Sequence, residues 1–519
     1  MTSKYLSLLS LLIAVAAVYS FLVPKPSHAV YSNGHYRLSS SFSFEQASGA
    51  SHLLETSIKR FNSLVQVDNK NIFNGETKII SKCDLQVKNV LATVELEIEA
   101  LMSADVDESY HLVVDDKGTC SITSNTIYGA MFAMETFTQF LTKEADGDNN
   151  IVAVSNNYVP LEVVDAPRFS HRGLLIDTSR HYLHKATIKQ FIDAMAMNKF
   201  NVLHWHLVDA QSFPFASQSA PRISQGAYQP QLVYSMADVT EITLYAAAQA
   251  VRVMVEIDVP GHAASWNAGY PEIMADCFDE YSNVNNYALN PVIDATYDVV
   301  REVLRDAVSA TGSKYLHVGG DEVVYGCWEA DASIARHMKR EGKSSAQLMA
   351  DFLARNDESM RRDLKVTPVH WEEAFFVQNL TLPPSTIFQI WTNSSQVSKI
   401  TSANYEVIVS SSDYWYLDHL NVTWKYMYSY DPTVDLPEEQ KKLVRGGEAC
   451  AWGEYIDDDN LLQVTYPRSS AVAERLWSPK DVTDQVDALA RLTVHRCRMK
   501  GRGVPAAPIQ PDNCGTLYV

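Results

Sequence analysis

An eight-stranded parallel β/α barrel preceded by a smaller α+β domain is the architecture the sequence predicts, and three observations predict it. From Arg172 onward, short apolar runs alternate with amphipathic segments, the grammar of a parallel sheet. Eight such runs occupy about 350 residues, enough to close a barrel with insertions. Upstream of Asp165 the patterning differs, mixing strict alternation with a helical stripe. The 519 residues accommodate both units. An open doubly wound sheet is the alternative, but no glycine-rich phosphate loop favours it.

The chain divides into residues 1–29, 30–165 and 166–519. In the first segment, Lys4 precedes an apolar run from Tyr5 to Val23, and Ser27-His28-Ala29 offers small residues for cleavage. That reads as a secretory signal, with an uncleaved signal-anchor as the alternative because the run is long enough to span a bilayer. In the second segment, Phe44–Val65 reads as a helix, while Val94–Ile98 and Tyr110–Val114 read as strands. Ile127, Met131, Met134, Phe137 and Leu141 share one helical stripe. In the third, strands are predicted at Gly173–Ile176, Val202–Leu207, Val253–Ile257, Tyr315–Val318, Val366–His370, Ile387–Ile390, Tyr405–Ser410 and Gly447–Ala451. Ile188, Phe191, Ile192 and Met195 form a helix face, and Ser235 with Asp238 is a capping box for the helix through Ala248.

Charge narrows the partners. The net charge of −19 repels nucleic acid, and no long basic run offsets it. Six of the seven cysteines can pair in an oxidising compartment, leaving one over. Asn379-Leu-Thr, Asn393-Ser-Ser and Asn421-Val-Thr are glycosylation acceptors if the chain enters the secretory route. Its destination is then secreted or lysosomal, with anchoring by the N-terminal segment as a further option.

The ends of the eight strands hold the candidate chemistry, because that face of a β/α barrel carries the active site. In chain order they bring Asp177 and Arg180, His206 and Asp209, Asp258 and His262, Asp321 and Glu322, Trp371 and Glu372, Trp391, Tyr416 and Asp418, and Trp452 and Glu454. Carboxylates suit acid/base work on acetals, and flat indoles suit the apolar faces of a sugar. His317-Val-Gly-Gly-Asp-Glu322 is the strongest local signal, since glycines let the backbone turn tightly before two adjacent acids. A metal-dependent hydrolase built on His204, His206, Asp209 and Asp321 is a rival, but no further cluster of histidines follows. No metal and no cofactor is expected. A barrel that binds glycans without catalysis is the other rival.

These motifs together resemble a β-N-acetylhexosaminidase of glycoside hydrolase family 20. The likeness rests on His317–Glu322, Gly173-Leu-Leu-Ile-Asp-Thr-Ser-Arg-His181, His204-Trp-His-Leu-Val-Asp209, Asp258-Val-Pro-Gly-His262, Trp391, Trp415-Tyr-Leu-Asp418 and Gly446-Gly-Glu-Ala-Cys-Ala-Trp-Gly-Glu454, and runs from about Ser43 to the C-terminus. It implies exo-hydrolysis of terminal N-acetylhexosamine from glycans or chito-oligosaccharides with retention, the substrate's acetamido oxygen acting as nucleophile. By the same resemblance, Glu322 is the acid/base, with a raised pKa, and Asp321 holds the acetamido N–H. Tyr416 donates to the acetamido carbonyl, and Trp371, Trp391 and Trp452 box the acetyl group and ring. Arg180 and Glu454 clamp the outer hydroxyls, and Asp209 with His262 orients Glu322 from behind.

Two positions depart from common family patterns. Ala210 stands where many relatives have a second acid. Asp418-His419 stands where relatives that accept 6-sulfated or sialylated substrates carry Asn-Arg, which implies a preference for neutral glycosides. The resemblance further implies disulfides Cys277–Cys327 and Cys497–Cys514, a free Cys450, and a homodimer. Cys120 matches a family position whose usual partner lies earlier than any cysteine of this chain, so its pairing with Cys83 stays open.

Overall fold

Each of the eight apolar runs becomes a strand of one closed parallel barrel in a computed structural model of the protein, which describes residues 21–46, 51–65, 78–103, 106–145, 151–515 and 517–518. The apolar run read as a signal lies mostly outside the described residues.

The N-terminal unit is a mixed sheet covered by helices. Its elements are β1 (His28–Gln46), α1 (His52–Val65), β2 (Lys78–Asn89), α2 (Val94–Leu101), β3 (Tyr110–Val114), β4 (Cys120–Thr126), α3 (Ile127–Gln139), β5 (Thr142–Ala145) and β6 (Ile151–Asp165). The spatial order is β1-β2-β4-β3-β6-β5, and Leu517–Tyr518 returns to pair with β5. The long β1 pairs with β2 through its second half and with β6 through its first. Helix α3 is buried on every side, so its stripe is wider than the periodicity suggests.

Two expectations fail here. Val94–Ile98 is helical, not a strand. The Thr93 side chain caps α2 by accepting the Leu96 N–H at 3.3 Å. Val94, Ile98 and Leu101 also satisfy helical spacing, and the alternation alone could not separate the two periods. Phe44–Gln46 belongs to β1, whose alternate Phe42 and Phe44 are buried, and the helix begins only at His52.

The barrel closes in chain order through β7 (His171–Asp177), β8 (Val202–Val208), β9 (Arg252–Ile257), β10 (Tyr315–His317), β11 (Thr367–Trp371), β12 (Ile387–Ile390), β13 (Glu406–Val409) and β14 (Val444–Ala451), which pairs back with β7. Strands buried on both faces read as continuous apolar runs, which is why they were legible. The capping box at Ser235 and Asp238 forms as expected on Met236–Ala247.

Buried charges join the units. Arg172 Nη1 donates to Glu108 at 2.6 Å, and Lys199 Nζ to Asp165 at 3.1 Å, both beneath the ring of Trp477. The disulfides Cys83–Cys120, Cys277–Cys327 and Cys497–Cys514 are formed, and Cys450 is free and buried. Residues 21–26 are packed against the rest of the chain: Leu22 and Val23 are buried, and the Val23 N–H donates to Gln139 at 3.0 Å, while Ser27 and His28 are exposed. No helix among the described residues is long and apolar enough to cross a membrane.

Candidate active site

The turn after β10 builds the centre of the site. Gly319 and Gly320 have φ of +59° and +94°, and the Gly320 N–H donates to Asp258 Oδ1 at 3.0 Å. A Cβ at Gly319 would lie 1.7 Å from that carboxylate, so only glycine fits. The turn delivers Asp321 and Glu322 to the mouth of the barrel. Glu322 has φ +50° and His262 φ +51°, left-handed conformations that cost an L-residue about 1–2 kcal/mol each and that concentrate at functional positions.

Behind Glu322 runs a chain of ionisable groups. His262 Nε2 lies 3.4 Å from Glu322 Oε2 and 3.8 Å from Asp321 Oδ2. His262 Nδ1 faces Asp209 Oδ1 at 3.0 Å. Asp209 Oδ2 also receives His206 Nε2 at 2.7 Å and Arg180 Nη2 at 2.9 Å. Burial alone would raise the Asp209 carboxyl, but His262 and Arg180 outweigh it and hold it far below the usual range. Arg180 is further held by Asp177 at 2.8 Å, with Glu454 at 3.8 Å.

The two adjacent acids behave differently. Burial and the neighbouring Asp258 charge push Asp321 well above the carboxylate range, and its Oδ1 is buried without a partner. Burial also lifts Asp258, to about 7. The raised pKa expected for Glu322 is absent: hydrogen bonding to His262 holds it below its ordinary value. The physical reason is the neighbouring charge: the His262 hydrogen bond, with the His262 and Arg180 charges behind it, outweighs the upward push of partial burial on a side chain that is 57% exposed.

Aromatic walls face these acids. The Trp371 and Trp452 ring centroids are 5.9 Å apart, and Tyr416 stands 6.3 Å from Trp452. Trp371 Nε1 donates to Glu256 at 2.8 Å, and Trp391 Nε1 to Glu373 at 2.9 Å. The cleft of about 180 Å³ is lined by Arg180, Asp209, His262, Asp321, Glu322, Trp371, Trp391, Tyr416, Asp418, Trp452 and Glu454, whereas Asp177 and Glu372, also expected at the strand ends, are not in its lining. His206, Asp258, His419 and Tyr455 complete the lining.

Sequence reasoning missed the supports. Glu256, Glu373 and Glu448 were not singled out, although an acid inside the apolar run Arg252–Ile257 is a signal in itself. Donor atoms of His204, Glu256 and His317 lie close enough to share a cation, as do those of Asp209, Asp258 and His262. The histidines of the supposed metal centre are turned on carboxylates instead: His204 Nδ1 on Glu448 at 2.8 Å, and His206 on Glu256 and Asp209 at 2.7 Å each.

A closed β/α barrel whose strand ends gather paired acids, indoles and a carboxylate-held arginine in one cleft has the makings of a glycoside hydrolase. The chain belongs to glycosyl hydrolase family 20: the profile of that family's catalytic domain matches residues 169–480, and a profile described as β-acetyl hexosaminidase like matches residues 22–140. Among curated relatives, β-hexosaminidase subunit beta of Felis catus is 37% identical over 445 residues, covering 84% of this chain and 82% of the relative. β-hexosaminidase 1 of Arabidopsis thaliana is 34% identical, with 89% and 85% covered. Among solved structures, a chitobiase of Flavobacterium johnsoniae superposes with a TM-score of 0.77 at 25% identity, covering 93% of this chain and 73% of that one.

Proposed function

We propose that the protein is an exo-acting, retaining β-N-acetylhexosaminidase that removes terminal GlcNAc or GalNAc from glycans by substrate-assisted catalysis. The observation that carries the reading is the unpartnered, buried Asp321 Oδ1 beside Glu322 in an indole-walled cleft, an acceptor waiting for one N–H. The sugar's acetamido group lies among Trp371, Trp391 and Trp452, its N–H on Asp321 and its carbonyl oxygen receiving the Tyr416 hydroxyl. Glu322 gives its proton to the glycosidic oxygen as the bond to C1 breaks. The carbonyl oxygen forms the new bond to C1, producing an oxazolinium ion whose charge Asp321 balances. Glu322 then takes a proton from water, which attacks C1 from the face the leaving group vacated as the C1–O bond of the oxazolinium breaks and restores the acetamido group, and the β-anomer results.

Substrate binding reverses these two pKa directions. A sugar ring expels water from Glu322 and raises it, while the acetamido N–H supplies Asp321 with the partner it lacks and lowers it. Replacing Glu322 by Gln lowers kcat by about 10²–10⁴ with KM little changed. An aryl glycoside lacking the 2-acetamido group is expected to turn over far more slowly than the N-acetyl compound. Equal turnover, or α-anomer appearing first by NMR, refutes the reading.

Finer readings belong with it. The Asp418 carboxylate in the lining disfavours acidic 6-substituents. Three disulfides support passage through the secretory route to a secreted or lysosomal destination. The packing of Leu22 and Val23 supports a leader that ends before Phe21 rather than at Ala29. Leu420 and Tyr455, 72% and 81% exposed beside the cleft, support a homodimer, which light scattering tests.

A further inference from the structure

Glu256 touches no part of a sugar in the reading above, yet two parts of the site converge on it. It is fully buried on β9 at the centre of the barrel. An ionised carboxylate there is costly unless its lone pairs are filled. Oε2 accepts from His206 Nδ1 at 2.7 Å and lies 2.9 Å from His204 Nε2. Oε1 accepts from Trp371 Nε1 at 2.8 Å and lies 3.1 Å from His317 Nδ1. Asp258, just past the end of β9, adds a nearby charge, and Glu448 holds His204 from the far side. Beyond His206 the chain continues through Asp209 and His262 to Glu322.

We propose that Glu256 is a positioning residue for the reaction, one oxygen orienting Glu322 through His206, Asp209 and His262 while the other fixes the indole that floors the acetamido pocket. This rests on Glu322 being the acid/base. With carboxylates on both sides, His206 donates from both nitrogens and cannot rotate, so Asp209 keeps one oxygen free for His262. A packed apolar residue would stabilise the barrel as well as this acid does, but it would leave the chain without an anchor.

Glu256→Gln keeps an acceptor for Trp371 and removes the charge. His206 then loses the stronger of the two carboxylate partners that hold its proton, and Asp209 alone does not keep the buried imidazole charged. The positive end of that pair is the one nearer the site, so Asp209, Asp321 and Glu322 hold protons more tightly. The acidic limb of the kcat/KM profile on an aryl N-acetylglucosaminide therefore moves to higher pH, kcat falls about 10-fold or more, and KM changes less than about 3-fold. In a His262→Asn background, where the chain is already cut, the same substitution has little further effect on kcat. An unchanged acidic limb, a kcat within about 2-fold of the parent, or an equal loss in both backgrounds overturns the proposal. If Glu256→Gln does not fold, His206→Gln cuts the chain one link nearer the site and is read the same way. Glu322→Gln serves as the reference: if it is inactive while the Glu256 test fails, only this inference falls, and if it is active the reading beneath it falls.

Discussion

Among single residues, Asp418 carries a prediction that its geometry makes pH-dependent. Burial lifts its carboxyl to about 6, although His419 opposes the shift. Above that pH it is an anion in the cleft lining and repels a 6-sulfate; below it the group is neutral and the repulsion goes. The efficiency on a 6-sulfated glucosaminide relative to the neutral one is therefore expected to rise as pH falls through 6. A ratio constant from pH 4.5 to 7.5 would show that Asp418 does not set this preference. Glu322 and His262 teach a different lesson at the same scale. Both identities were legible in motifs, but the Glu322 pKa direction was not, because it depends on the hydrogen bond that the fold brings from His262, far away in the chain.

For elements, the turn after β10 is the decisive one. Gly319→Ala sets a methyl against Asp258 and is expected to cost activity at least about 10-fold, because the turn that carries Asp321 and Glu322 must shift. Gly342 is the control. It also has a positive φ, +65°, at the end of the helix Ala332–Glu341, but an added Cβ there meets nothing within 4 Å. Gly342→Ala is expected to cost only about 1 kcal/mol of stability and no activity. Equal kinetics for the two variants would show that the turn tolerates movement. Helix α2 marks the limit of reading elements from sequence, since alternation over five residues fitted both periods until Thr93 and the tertiary packing chose the helix.

Across the whole molecule, stability depends on charges buried between and within the units. Arg172→Met strands the Glu108 carboxylate in the interface and is expected to cost about 3–5 kcal/mol, read as a fall in the chemical-denaturation midpoint. A loss below about 1 kcal/mol would mean that Glu108 finds water or another donor. The barrel histidines set the pH dependence. Burial holds His171 and His317 down at about 4, so the stability they contribute is lost as pH falls from 6.5 toward 4. Burial also opposes charge on His204, but the Glu448 and Glu256 carboxylates win and push it up to about 9. Its contribution is complete below 6.5 and is lost as pH rises toward 9. Thermal stability should therefore peak near pH 6.5; a melting temperature still rising at pH 8.5 contradicts these assignments.

The barrel and most of the cleft's members follow from sequence alone, because strands buried on both faces leave unbroken apolar runs and the chemistry clusters at their C-terminal ends. Only the tertiary structure decided which carboxylates stay charged, that Cys83 reaches Cys120, and that Glu256 ties His206 to Trp371. Protonation and long-range pairing depend on distances and burial between residues far apart in the chain, and no local pattern encodes those.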